Sequence, residues 1–239
     1  MENKEVKKVC LVTGASSGIG YAIAKYLAEK ESYQLVITAR REEKLNTLQS
    51  ENVDVFPGDL SSHDFQENLE KFVMDTHGRC DYLFNSAGMI EAGSIEDIDI
   101  DRFTDMIRLN VEATFRLTYK ILKIFRKQGS GHVINISSVM GTKVRPTAGG
   151  YAASKFAMEA LSEALRMELT GSNIQVSCLE PGLVYTELHD RWEVHPSKSM
   201  GIHQPLSVED VVASVDYIMN QPEHVRIPRL MILPRDHNI

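Results

Sequence analysis

The sequence predicts a doubly wound α/β sandwich: about seven parallel strands with helices on both faces, in one domain. Three observations predict it. Seven short apolar runs, most of them rich in β-branched residues, read as buried strands. The segments between them are longer and carry helical periodicity, and alternation of this kind calls for parallel pairing through right-handed crossovers. The first run leads straight into TGASSGIG, Thr13 to Gly20, a glycine-rich entry into a helix.

The elements follow in order. VCLVT (9–13) is the first strand, and Ile19, Ile23 and Leu27 share one face of the helix after it. LVIT (35–38) and VDVF (53–56) are the second and third strands, and a helix begins near Ser61. DYLFN (81–85) is the fourth. The stretch 101–129 is the longest helical segment. Phe103, Met106, Ile107, Asn110, Val111, Thr114, Leu117 and Ile121 make its broad face, which predicts deep burial or a subunit contact. HVINIS (132–137) is the fifth strand, followed by a helix with Leu161, Leu165 and Leu169 on one face. IQVSCL (174–179) and LMIL (230–233) complete the sheet. No linker, repeat or low-complexity tract divides the 239 residues.

Composition narrows the function classes. Apolar residues make up 43% of the chain, enough for a sizeable core. The net charge is −7 with no basic block, which argues against nucleic acid as the partner. Cys10, Cys80 and Cys178 have no metal-ligand spacing and read as buried thiols in a reducing compartment. No window approaches membrane-span length, and the apolar run after the N-terminus is too short for a signal peptide. The expectation is a cytoplasmic protein without a membrane partner and without a metal.

The glycine loop carries the first chemistry. Gly14, Gly18 and Gly20 permit a tight turn, close approach of a pyrophosphate, and close helix–strand packing, while the helix start offers free N–H groups. The bland alternative is an ordinary strand-to-helix turn. The second strand ends in ITARREEKL, where an NAD site usually has a carboxylate for the ribose; here Ala39 is followed by Arg40 and Arg41. A guanidinium suits the 2′-phosphate of NADP, and Arg40, nearer the strand end, is the expected contact. Arg41 serves equally well as a solvated charge at the next helix. Asp59 in FPGDLSS suits the adenine amino group; its rival role is a helix cap, which Ser61 or Ser62 also suits.

With these features the chain resembles the short-chain dehydrogenase/reductase family, from about Lys8 to Thr186. The resemblance rests on TGASSGIG (13–20), Asp59-Leu60, NSAG (85–88), Asn110, Ser138, YAASK (151–155) and PGLVYT (181–186), in order and with family-like spacing. It implies a Rossmann-type fold, with a nucleotide half of about residues 8–135 and a catalytic half and substrate loop of about 136–239.

Tyr-x-x-x-Lys occurs four times, at Tyr21, Tyr26, Tyr119 and Tyr151, because residues four apart share a helix face in any helix. Only Tyr151–Lys155 opens a helix after a strand that ends in a hydroxyl, Ser138. Thirteen residues before Tyr26 lies Thr13, a hydroxyl at the start of the glycine loop. Hydride transfer to a carbonyl leaves an alkoxide that needs a proton, and the reverse reaction needs a base. A free tyrosine, with a pKa of about 10, is a poor base at neutral pH, and a nearby ammonium favours its phenolate. Ser138 suits the substrate oxygen as charge develops. Strand alternation turns its neighbour Ser137 to the other face.

The resemblance implies the remaining roles. Lys155 also binds the nicotinamide ribose, and Asn110 holds a water that links Lys155 to solvent. The backbone around Ile19 meets the pyrophosphate, with Gly14, Ser16, Ser17, Gly18 and Gly20 alongside. Asp59 and Leu60 lie at the adenine, and Asn85, with Ala87 and Gly88, at the ribose on the nicotinamide side. Pro181, Gly182 and Val184 pack near the nicotinamide, and Thr186 binds its carboxamide. The expected cofactor is NADP(H), preferred over NAD(H). The expected activity is interconversion of a carbonyl and a secondary alcohol, by a homo-oligomer, either tetramer or dimer.

Leu183 to Ser207, with Met140 to Gly149 and Met89 to Ser94, are expected to set substrate choice. The first of these reads as a mobile lid in which Trp192 either covers substrate or packs in the core. His189, His195 and His203 follow no compact metal spacing. The C-terminal residues 234–239, which carry no glycine motif, read as a tail able to reach a neighbouring subunit. Two other functions compete. A non-catalytic NADP-binding regulator usually lacks Ser, Tyr or Lys of the set; a methyl donor-dependent transferase predicts an acid where Arg40 stands.

Overall fold

The computed structural model describes residues 6–238. All seven expected strands are present: β1 Lys8–Thr13, β2 Tyr33–Thr38, β3 Val53–Val55, β4 Tyr82–Asn85, β5 Ser130–Ile136, β6 Asn173–Pro181 and β7 Arg229–Ile232. They form one parallel sheet in the order β3-β2-β1-β4-β5-β6-β7. The order reverses between β1 and β4, and in such sheets the crevice beyond the strand ends at this point is where ligands bind. Register is continuous across it, with Thr13 opposite Thr38 and Val12 opposite Phe84.

The helices are α1 Gly18–Ala28, α2 Glu42–Asn46, α3 His63–His77, α4 Ile100–Ile107, α5 Thr114–Gln128, α6 Gly149–Glu168, α7 Pro196–Ser199 and α8 Val208–Met219. One core lies under α1 and α8, where Ile23, Leu27, Val211 and Val215 cover Cys10, Val12, Leu35 and Ile37. The other lies under α3, α5 and α6, where Leu69, Val73, Leu117, Ile121 and Leu165 cover Leu11, Leu83 and Val133. The central strands are covered on both sides, so their apolar runs lack alternation.

Two features depart from the sequence reading. The 101–129 stretch is not one uniform helix, because Arg108–Ala113 forms a π-helical segment between α4 and α5. The breadth of its apolar face has a plain cause in α5, where Leu117, Thr118, Ile121, Leu122, Ile124 and Phe125 are all buried. The tail folds back on its own chain: His237 is buried, and the Arg145 guanidinium donates to its Nε2 at 2.6 Å. Ile239 lies outside the described residues. Among the described residues, no helix is long and apolar enough to cross a membrane. Cys10, Cys80 and Cys178 are free and buried.

Candidate active site

A cavity of about 1390 Å³ opens at the C-terminal ends of the strands, at the reversal point. Its floor is the glycine loop. Thr13 Oγ1 donates to Phe84 O and accepts from the N–H groups of Ser86 and Ala87, each at 3.1 Å, tying β1 to the segment after β4. Gly14 has φ +69°, and a Cβ there would lie 2.7 Å from main-chain atoms of Ala87. A Cβ on Gly20 would lie 2.5 Å from Gly14 O, so α1 starts directly against the loop. The cap residue Ser17 makes no side-chain bond, and the first turn of α1 holds no acid. Its N–H groups and positive dipole end therefore face the cavity unopposed, which suits an anion. Ser16, Ser17, Gly18, Ile19 and Gly20 all line it. A dinucleotide pyrophosphate fits this floor in shape and charge.

At the end of the cavity beyond β2 and β3, Arg40, Arg41, Asp59 and Leu60 line the wall. Arg40 is exposed. Arg41 is committed elsewhere: its Nη1 is 2.8 Å from Glu187 Oε2, and its Nε donates to Ser16 Oγ at 3.2 Å. Asp59 Oδ1 accepts from Ser61 N at 2.9 Å, while Ser62 caps α3 by accepting from Phe65 N. Asp59 is thus a turn former that still borders the cavity. Ala87 and Gly88 also line it. Asn85 points elsewhere: its amide donates into the core, to Thr118 Oγ1 at 2.9 Å and to Asn135 Oδ1 at 2.7 Å.

Ser138, Tyr151 and Lys155 meet at the opposite end, all buried and all lining the cavity. Ser138 caps the turn after β5 by accepting from Met140 N at 3.1 Å. Tyr151 and Lys155 lie one turn apart on α6, with Lys155 Nζ 5.8 Å from the Tyr151 ring centre. Burial pushes the Tyr151 phenol up to about 12, with the Ser138 hydroxyl pulling the other way. Burial lowers Lys155 to about 8, against Cys178 and Glu159, and Nζ donates to Ile136 O at 2.8 Å. Asn110 lies in the π-helical segment. It accepts from Met89 N (3.0 Å), donates to Met89 O (2.9 Å), and reaches Ser154 Oγ at 3.2 Å. The segment after β4 is thereby clamped to the helix that carries Tyr151.

The other three Tyr-x-x-x-Lys pairs lie away from this end. The Tyr21 hydroxyl meets Thr47, Tyr26 and Lys30 share Asp216 on α8, and Tyr119 is exposed.

The remaining wall is the segment after β6. Pro181, Gly182, Val184 and Thr186 border the cavity. Val184 bridges Leu206, closing the base of the expected lid, which contains a short 3-10 turn at Glu187–His189 and α7. The lid rests on the glycine loop, since a Cβ on Gly18 would lie 3.3 Å from Thr186. His189 is buried against Trp192, ring centres 5.2 Å apart; burial lowers it to about 4, and His195 adds to this. Trp192 both lines the cavity and packs on the apolar cluster around Tyr151, Ile90 and Met140. Arg145, within the 140–149 segment expected to set substrate choice, and His237, within the tail, also line the cavity, though the sequence singled out neither. Gly182 is what admits His237, because a Cβ there would lie 2.5 Å from its Nδ1.

Comparison with known proteins agrees with this architecture. The family profile described as short chain dehydrogenase matches residues 8–196. An uncharacterized oxidoreductase of Staphylococcus aureus (strain USA300) is 33% identical over 231 residues, covering 95% of this chain and 97% of that protein. The structure of a serine dehydrogenase complexed with NADP+ superposes with a TM-score of 0.85 at 27% identity, covering 94% of each chain. A 4-hydroxyisoleucine dehydrogenase mutant complexed with NADH and succinate gives 0.86 at 26% identity, covering 95% of this chain and 97% of the other. An oxidoreductase of nicotinamide type is what such a sheet, floor and buried hydroxyl pair would serve, and the chain belongs to the short-chain dehydrogenase family.

Proposed function

We propose that the protein interconverts a carbonyl and a secondary alcohol with NADP(H), using Tyr151 as the acid–base group. The observation that carries this reading is the buried Ser138–Tyr151–Lys155 group facing the same cavity as the glycine loop. When bound, the cofactor supplies or accepts the hydride. The chain's own part is proton handling and positioning. In reduction, hydride addition to the carbonyl carbon moves an electron pair onto oxygen, and the Tyr151 phenol gives that oxygen its proton. A phenol held up to about 12 is protonated at neutral pH, as this direction requires. Ser138 donates to the same oxygen and lowers the cost of the developing charge. The Lys155 ammonium stabilises the phenolate left behind and returns a proton to it. Asn110, its amide taken up by Met89 and Ser154, serves here to hold the segment after β4 against the helix that carries Tyr151 and Lys155.

NADP(H) is preferred over NAD(H) in this reading because Arg40 lies at the adenosine end without an acidic neighbour at Ala39. Arg41 is a reserve cation that must leave Glu187 to contribute. The substrate is a small carbonyl or alcohol with an apolar flank, seated against Ile90, Met140 and Trp192. The protein works in the cytoplasm as a homotetramer or homodimer, which sizing of the purified chain tests. The deciding experiment is Tyr151→Phe assayed by NADPH absorbance across a carbonyl panel. NADPH binding should persist while kcat falls by about 10²–10⁴-fold; near-normal turnover would remove Tyr151 from the mechanism.

A further inference from the structure

We propose that Glu159 is a positioning residue for the Tyr151–Lys155 pair: its carboxylate, carried one turn beyond Lys155 on α6, keeps the lysine ammonium charged inside the protein. The inference rests on the function proposed above and adds a residue to it.

Tyr151, Lys155 and Glu159 recur every four residues, so they share one face of α6. All three are buried, with exposures of 8%, 6% and 9%. A buried carboxyl next to a buried amine is costly unless their charges answer each other. The surroundings of Glu159 are fully defined. Ser137 stands at the end of β5, Cys178 and Glu180 on β6, Arg229 on β7, and Lys155 on its own helix. Gly141 closes the space above, where a Cβ would sit 2.9 Å from Glu159 Cγ.

Close hydrogen bonds are lacking at the carboxylate, although the Ser137 hydroxyl and Cys178 lie near enough to lower it. Both of its oxygens, and the Ser137 hydroxyl beside them, have no hydrogen-bond partner among the described residues. The nearest cation is already engaged: Arg229 Nε lies 2.5 Å from Glu180 Oε1 and only 3.5 Å from Glu159 Oε2. Two carboxylates against one guanidinium leave one negative charge over. Lys155 can supply the matching positive charge: the four groups are neutral together either with Glu159 ionised and Lys155 protonated or with both uncharged, and an ionised Glu159 favours the first by raising Lys155. Burial pushes Glu159 up and Lys155 down; the Glu159 charge, after Cys178, opposes the lowering of Lys155, while on Glu159 itself Ser137, Cys178 and Arg229 work against burial and Glu180 works with it. Without this carboxylate the lysine would release its proton at lower pH, and the phenolate of Tyr151 would lose its counter-charge.

The test is the pH profile of kcat/KM for NADPH-dependent reduction of an accepted carbonyl, in wild type and in Glu159→Gln. The expected result is a basic limb displaced to lower pH by about one unit, with the plateau rate little changed. Glu159→Asp retains the charge and should restore most of the wild-type limb. A Glu159→Gln limb that coincides with wild type overturns the proposal, and so does an Asp variant displaced as far as Gln, which would point to shape rather than charge. If Glu159→Gln does not fold, Glu180→Gln, which alters the same charge balance from β6, gives the comparison: its limb should move to lower pH while that of Glu159→Asp stays near wild type, and an unmoved Glu180→Gln limb overturns the proposal. Tyr151→Phe separates the two levels. If it is inactive while the limb does not move, only the role of Glu159 fails; if it stays active, the function proposed above fails first.

Discussion

Replacing Gly14 by alanine isolates what the floor of the cavity requires of its backbone. Two effects are expected. An L-residue in the left-handed region costs roughly 1–2 kcal/mol, and Gly14 has φ +69°. The new Cβ would also lie 2.7 Å from Cα and N of Ala87, main-chain atoms that cannot rotate away. Ala87 N is further held by Thr13 Oγ1 at 3.1 Å. Overpacking of this kind adds about 1–3 kcal/mol. Gly78→Ala is the internal control: it has φ +68° and nothing within 4 Å of its missing Cβ, so it carries only the backbone cost. At about 2–4 °C per kcal/mol for a chain of this size, Gly14→Ala should melt roughly 2–12 °C below Gly78→Ala. Thermal unfolding by circular dichroism at one pH and protein concentration measures both. Equal melting temperatures would refute the argument, because the close approach of β1 and the segment after β4 would then carry no energy.

Other outcomes follow from the same structure. His132 is buried and lowered to about 3, mainly by burial and then by Arg226, so the fold keeps it neutral while the unfolded chain protonates it below about 6.5. Its contribution is therefore complete above that pH and is lost as pH falls toward 3; urea unfolding at pH 6.5 and 4.5 should differ by roughly 2 kcal/mol from this group, a difference that His132→Gln should reduce. Arg40→Asp should raise the KM for NADPH while sparing NADH, measured in parallel cofactor titrations. Glu187→Gln frees Arg41 from an ion pair exposed by 42% and 50%, so melting should change by no more than the equivalent of about 1 kcal/mol. Removal of residues 235–239 takes His237 away from Gly182 and should raise substrate KM more than the KM for NADPH.

The fold was legible because the central strands are covered on both sides, which turns each into a short apolar run, and because parallel order is forced by the helices between them. The glycine loop was legible for a similar reason, since its demands fall on consecutive residues. Asn85 was placed correctly on β4 but not oriented: the partners of its amide, Thr118 and Asn135, come from α5 and β5. Arg41 and Glu187 are 146 residues apart, and Arg145 and His237 are 92 apart, so neither pairing leaves a local pattern. The π-helical segment was invisible because its composition continues the apolar periodicity of its neighbours. What distinguishes it is the contact of Asn110 with Met89, a tertiary fact.

That segment also bears on how the chain can change length. A π-helical turn amounts to one residue inserted into an ordinary helix. Deleting a single residue between Arg108 and Ala113 would let α4 and α5 fuse into one α-helix with better hydrogen bonds. The price would be rotation of Asn110 by about 100°, off the main chain of Met89. A shortened relative of this protein would therefore gain helical regularity while losing the brace between its glycine-loop floor and its tyrosine helix, with the Asn110 amide left without Met89 and Ser154 as partners.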